Sequence, residues 1–148
     1  MVHSVRTFAD EVADLFHLGQ LRRSTAVHGG LSNDLWRVET DTGDFAVKVM
    51  RANARNPQFR ANIEAAFAIE AQAHRRGVPC PEPVVLDGEH CLAEVSGELV
   101  RVHHWVDGRT VDGPRWGEEA GALIAQIHQV AEPFTALLDD EPWDMEGW

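Results

Sequence analysis

Export signals, membrane-length apolar runs, cysteine clusters and basic residues are all missing or scarce in this chain of 148 residues. No uninterrupted apolar run approaches the roughly 20 residues that a bilayer-spanning helix needs. Met1 to Arg6 leads into the acidic stretch Thr7-Phe8-Ala9-Asp10-Glu11 rather than into the apolar segment of a secretory signal, so a cytoplasmic location is expected. The two cysteines, Cys80 and Cys91, stand in no CxxC or Cys/His ligand spacing, and without an export signal they read as reduced core or loop thiols. Bases number 13 against 24 acids, a net charge of −11 at pH 7. Polyanions are repelled at long range by such a chain, so neither nucleic acid nor a membrane surface is an expected partner. A local nucleotide site survives this argument, because a few backbone N–H groups and one lysine hold phosphates at short range.

What is present fits a globular domain. Hydrophobic residues make up 44% and charged residues 25% of the chain, close to globular averages. A chain of this length buries enough surface for a core without metal or disulfide staples. From Thr7 to Leu18, Phe8, Val12, Leu15 and Phe16 mark one face of a helix that ends near Gly19. Ser24 to His28 predicts a first strand, broken by Gly29-Gly30-Leu31-Ser32-Asn33. Leu35 to Thr40 alternates apolar and polar residues, Asp41-Thr42-Gly43-Asp44 is a turn, and Phe45 to Met50 is a third strand. A long helix is predicted from Pro57 to about Arg76, closed by Gly77, Pro79 and Pro81. Val84 to Leu86, Cys91 to Val95 and Leu99 to Trp105 are short strands. Arg109 to Gly113 reads as a linker, and Pro114 opens a last helix with Trp116, Ala120, Leu123, Ile124, Ile127 and His128 on one side. The order predicts an α+β arrangement, a five-stranded antiparallel sheet with a packed helix.

Phosphoryl transfer requires a loop over the phosphates, a lysine on them, metal-binding acids, and a base or orienting acid near the acceptor hydroxyl. Gly29, Gly30, Ser32 and Asn33 offer the loop, although a hairpin tip that needs positive φ has the same composition, and the segment is neither a Walker A motif nor a full GxGxxG. Lys48, in Phe45-Ala46-Val47-Lys48-Val49, shares a face with Ala46; it is either a solvated strand lysine or the counterpart of the V-A-I-K lysine of kinases. Such a lysine calls for a carboxylate from the next helix, and Glu70 is the candidate, with Glu64 as competitor.

Together these segments resemble the aminoglycoside phosphotransferase and choline-kinase-like family of small-molecule kinases, from about Leu21 to Val130. The resemblance rests on the Gly29–Asn33 loop, Ala46-Val47-Lys48-Val49, and Glu70 followed by Gly77-Val78-Pro79-Cys80-Pro81. It continues through Trp105-Val106-Asp107-Gly108-Arg109 and the helix Ala120-Gly121-Ala122-Leu123-Ile124-Ala125-Gln126-Ile127-His128. It implies a kinase-like N-terminal lobe over residues 1–107, with a leading helix. Residues 108–148 would hold a linker, the first helix of a second, C-terminal lobe and an acidic tail. It also implies ATP or GTP, used with magnesium, as the ligand. The backbone of His104 and Val106 would meet the adenine edge, with Val102 and His103 behind it. Read without the resemblance, the two histidines are simply one inward and one outward residue at a strand end, and His128 is a packing residue.

The family's catalytic loop resembles H-G-D-x-x-x-x-N, and none of the eight histidines here is followed two residues later by aspartate. Asp144-Met145-Glu146 has the letters of a metal-binding D-x-E segment without that loop before it. No catalytic residue is therefore assigned, and the 148 residues alone are expected to be inactive. Three readings compete: a fragment of a longer phosphotransferase, a stand-alone nucleotide- or protein-binding module, and a lobe completed by a second chain. A lone lobe would expose apolar surface around Trp105, Trp116, Ile127 and Phe134, which predicts a homodimer or a second-lobe partner.

Overall fold

The computed structural model describes residues 6–28, 33–109 and 116–131. In chain order they form α1 (Phe8–Leu15), β1 (Leu21–Val27), β2 (Asn33–Thr40), β3 (Asp44–Met50), α2 (Pro57–Arg75), β4 (Leu92–Val95), β5 (Glu98–His104) and α3 (Gly117–Ala131). The five strands make one antiparallel sheet in the order β1-β2-β3-β5-β4, with β3 at the centre. This is the N-terminal-lobe arrangement of kinase-like folds.

Alternation on the central strands gives the sheet two unlike faces. Val38 on β2, Phe45 and Val47 on β3, Val100 and Val102 on β5, and Ala93 and Val95 on β4 are buried together. The leading helix covers them, its Val12, Ala13 and Phe16 joining the same core along with Leu18 of the following turn. A capping box starts that helix: the Thr7 hydroxyl accepts from the Asp10 N–H, and the Asp10 carboxylate accepts from the Thr7 N–H. Leu18 is pinned twice more, because its carbonyl accepts from the hydroxyls of Thr40 (2.6 Å) and Thr42. Gly19 permits that turn: its φ is +92°, and an added Cβ would lie 2.2 Å from Asp41 Oδ1, the acceptor of the Gln20 N–H.

The opposite face carries Leu35 and Arg37 of β2, Ala46 and Lys48 of β3, and Arg101 and His103 of β5, matched in register as Leu35–Lys48–Arg101 and Arg37–Ala46–His103. It is approached by α2, which starts at Pro57 under an Asn56 cap and ends where Gly77 takes φ +80°. The α2 residue Ala73 packs with Val78 and with Val130 of α3 in a second, smaller core. Elsewhere α3 is largely exposed, Ile124 and Ile127 among its apolar residues.

Several boundaries differ from the sequence expectation for physical reasons. The first strand begins at Leu21 rather than Ser24; its residues lie at a sheet edge and mostly in solvent, so no alternation marks it, and a register shift falls between Leu21 and Arg23. Val84 to Leu86 is not a strand. Pro83 makes an isolated bridge to His103, and the Val84 N–H bonds the Val102 carbonyl, so the segment only borders β5. The turn between β4 and β5 places Ser96 at φ 50° and Gly97 at φ 81°, as a tight hairpin demands. Pro114 lies outside the described residues.

Leu18 is 2% exposed and Leu15 is 42% exposed. Leu18→Ala should therefore lower stability by about 2–5 kcal/mol and Leu15→Ala by about 0.5 kcal/mol or less, compared by urea denaturation. Similar losses at both sites would contradict this placement of the leading helix.

Candidate functional site

The central strand and its neighbour β5 bring one lysine and one arginine side by side. Lys48 and Arg101 are cross-strand partners, and His103 follows two residues along the same face. Lys48 is half-buried, and its ammonium makes no ion pair or hydrogen bond with the described residues. One compositional signal singles it out: it is the sole lysine, every other base being arginine. A compact ammonium on a flexible stem thus occurs at this position alone.

Glu70 of α2 reaches this face, but the expected pair with Lys48 is not formed. Its carboxylate accepts from Arg101 Nη2 and from His103 Nε2, the latter at 3.0 Å. A planar guanidinium and an imidazole on the same face match two carboxylate oxygens, whereas an ammonium supplies one point charge. Burial pushes the Glu70 carboxyl up, yet the His103 hydrogen bond and the charges of Arg101 and His103 outweigh it and hold the carboxyl below the usual range. Arg101 Nε is buried without a hydrogen-bond partner. Glu64, the competitor for Lys48, is neither its partner nor a solvated acid: it accepts from the N–H groups of Cys91 and Leu92, each at 3.0 Å, and fastens α2 to the start of β4. Burial beside Glu64 pushes the Cys91 thiol up to about 12, and both cysteines are free.

The strand leaving the sheet is held from two sides. His104 donates its N–H to the Glu82 carbonyl at 2.8 Å, so that donor is not available to a ligand. Trp105 donates its backbone N–H to the Asp44 carbonyl and its indole N–H to Asp107, each at 2.9 Å. The Arg37 guanidinium, bonded to Asp44, lies 4.9 Å over the indole ring. Val106 follows, 59% exposed and without a hydrogen-bond partner among the described residues. His103 points in and His104 out, their side chains 14% and 50% exposed, as the alternation implied.

Asn33 closes the base of the first hairpin, its Oδ1 accepting from the Arg51 N–H at 3.1 Å. Gly29, Gly30 and Ser32 lie outside the described residues, as do Phe134 and the Asp144-Met145-Glu146 segment. Among the described residues no group of three or more His, Cys, Asp or Glu side chains is placed to hold a metal ion. No described helix is long and apolar enough to cross a membrane.

A five-stranded antiparallel sheet, a central-strand lysine and a following helix that carries a carboxylate to the lysine's face define a kinase-like N-terminal lobe. The chain belongs to the phosphotransferase enzyme family, whose model matches residues 24–148. The homoserine kinase of Methylobacillus flagellatus is 25% identical over 127 residues, 82% of this chain and 37% of that enzyme. The homoserine kinase of Methylocella silvestris is 26% identical over 133 residues, 85% of this chain and 39% of that enzyme. Among solved structures, a spectinomycin phosphotransferase in complex with ADP and spectinomycin shares the fold, with a TM-score of 0.56 at 12% identity over 88% of this chain and 41% of that one. The chain thus spans about two-fifths of the length of these relatives.

The Glu70 network gives a pH dependence with a definite sign. Its carboxyl titrates lower in the folded than in the unfolded chain, so the contribution is complete above the unfolded pKa and is lost as pH falls through the folded one. Urea midpoints of the wild-type chain should fall more steeply between about pH 5 and about pH 3 than those of Glu70→Gln. Parallel curves would contradict the network.

Proposed function

We propose that this chain carries the nucleotide-binding lobe of a kinase that transfers a phosphoryl group from ATP or GTP to the hydroxyl of a small molecule. The observation that carries the reading is Lys48: the one lysine, half-buried on the central strand, with no carboxylate neutralising it among the described residues. In an acidic chain, a cation left in that condition within a family of phosphotransferases is best explained by an anionic ligand.

In this reading Lys48 meets the phosphates, and backbone N–H groups around Gly29, Gly30 and Ser32 close over them, the loop being anchored by Asn33. The adenine edge is met by the carbonyl of His104 and the N–H of Val106, the linker between them being fixed by the Trp105 contacts with Asp44 and Arg37. Ala46 and Leu35 form the adjacent sheet surface. Glu70 is bonded to Arg101 and His103 rather than to Lys48. Residues 1–107 are the lobe, and residues 108–148 lead into a second one. Metal binding and the orientation of the acceptor hydroxyl are assigned to no residue of this chain. The described residues bring no three or more His, Cys, Asp or Glu side chains together to hold a metal ion, and no catalytic step is assigned to them. The exposed Ile124 and Ile127 on α3 suit a second lobe or a second copy of the chain. Homoserine is the acceptor to assay first with a full-length homologue, given the named activity of the relatives.

Thermal denaturation with and without ATP and magnesium tests the nucleotide site. At a ligand concentration 100 times Kd, binding should add about 2.7 kcal/mol to the wild-type chain, and Lys48→Ala should lose most of the resulting rise in Tm. An unchanged Tm at millimolar nucleotide would overturn the reading.

A further inference from the structure

The leading helix does not seal the sheet across its whole width. On the face it covers, β3 and β5 present Phe45, Val47, Val100 and Val102 to the core, whereas β1 presents Ser24 and Ala26, opposite Val38 and Trp36 of β2. Side chains that small leave room between α1 and the edge of the sheet. A cavity of about 190 Å³ results, walled by Phe8, Ala9 and Val12 of α1 and by Trp36, Val38 and Val47 of the sheet. Thr7 and Ser24 complete the lining, and no charged residue belongs to it. The Thr7 hydroxyl is spent on the Asp10 carboxylate at 2.6 Å. The Ser24 hydroxyl and the Trp36 indole N–H have no hydrogen-bond partner among the described residues.

We propose that this cavity is a second ligand site, which takes a small uncharged aromatic molecule bearing one hydroxyl, phenol being the simplest. Size sets the first limit. Roughly 150 Å³ of apolar cavity admits benzene, whereas sites for drug-sized ligands begin at about 300 Å³, so a single ring fits here and a nucleotide does not. Charge sets the second: an ion would leave water for a wall that offers it no counter-ion. Phe8 and Trp36 favour a ring over an aliphatic chain, since aromatic pairs gain beyond the area they bury. Water is a poor occupant, because most of the wall is hydrocarbon and a buried water needs several polar partners. A single hydroxyl on the ligand matches the two unpartnered groups, Ser24 and Trp36. The site lies across the sheet from the nucleotide face: Val47 lines it, and the next residue, Lys48, is on the other side of the strand. It therefore does not rest on the nucleotide reading.

Valine methyl resonances of the whole 148-residue chain provide the test, because Val12, Val38 and Val47 wall the cavity while Val78 and Val130 sit in the second core. Phenol, benzene and benzoate are titrated separately. Phenol should shift the methyls of Val12, Val38 and Val47 saturably, with a Kd of about 1 mM or tighter, and leave those of Val78 and Val130 in place. Benzene should bind at the same methyls about 5-fold more weakly, the worth of one hydrogen bond, and benzoate should not bind. Two variants fill the space from opposite sides: Ala9→Leu from the helix, and Ser24→Leu from the exposed edge strand, where folding is least at risk. Each should weaken phenol at least about 10-fold, with the Val78 and Val130 resonances unchanged as the sign of an intact fold. Absence of a saturable shift up to the solubility of phenol would overturn the proposal. So would benzene or benzoate matching phenol, or undiminished phenol binding in a filled variant that keeps those two resonances.

Discussion

The structure depends on the pairing of β3 with β5. That ladder sets Val47 against Val102 and Val49 against Val100 on one face, and Lys48 against Arg101 with Ala46 against His103 on the other. The first face is sealed by the leading helix, with Val47, Val100 and Val102 each at most 1% exposed. A slip of one residue would turn the cations into that core, so the apolar face fixes the register of the polar one. Glu70 of α2 bonds Arg101 and His103 on that polar face, and this ties the helix to the sheet at the point where the chemistry is expected.

Much of this architecture was legible in the residues. Leu35 to Thr40 and Phe45 to Met50 alternate because each has one face on a core, and both are strands. Pro57 and Gly77 bracket the long helix because proline fits its first turn and glycine takes the positive φ after its last. The first strand was partly hidden, since an edge strand with both faces near water carries no alternation. Val84 to Leu86 looked like a strand by composition, but Pro83 and the short reach of the ladder leave only a bridge.

The site was legible in its parts and not in its pairings. Chain distance and helical spacing bring Glu70 to the right face, but they do not say which cation on that face it meets. Arg101 and His103 both lay in a predicted strand, and their claim on Glu70 follows from the strand order: β5, not β4, is the neighbour of β3. Likewise Glu64 reads as a surface acid in the sequence, and only the placement of β4 beneath α2 turns it into an acceptor for two backbone N–H groups. The strongest compositional signal for Lys48 is that no other lysine exists in the chain. Family membership and fold agree with the kinase-like lobe, and the relatives extend well beyond the length spanned here.

The central claim is that Lys48 meets the phosphates of a nucleotide. An acyl phosphate of ATP, which transfers its acyl group to an amine lying against the phosphates, examines that contact with a single possible lysine target. The account predicts acylation of Lys48 that excess ATP suppresses. Acylation confined to the N-terminal amine, or acylation of Lys48 that excess ATP leaves untouched, would contradict it.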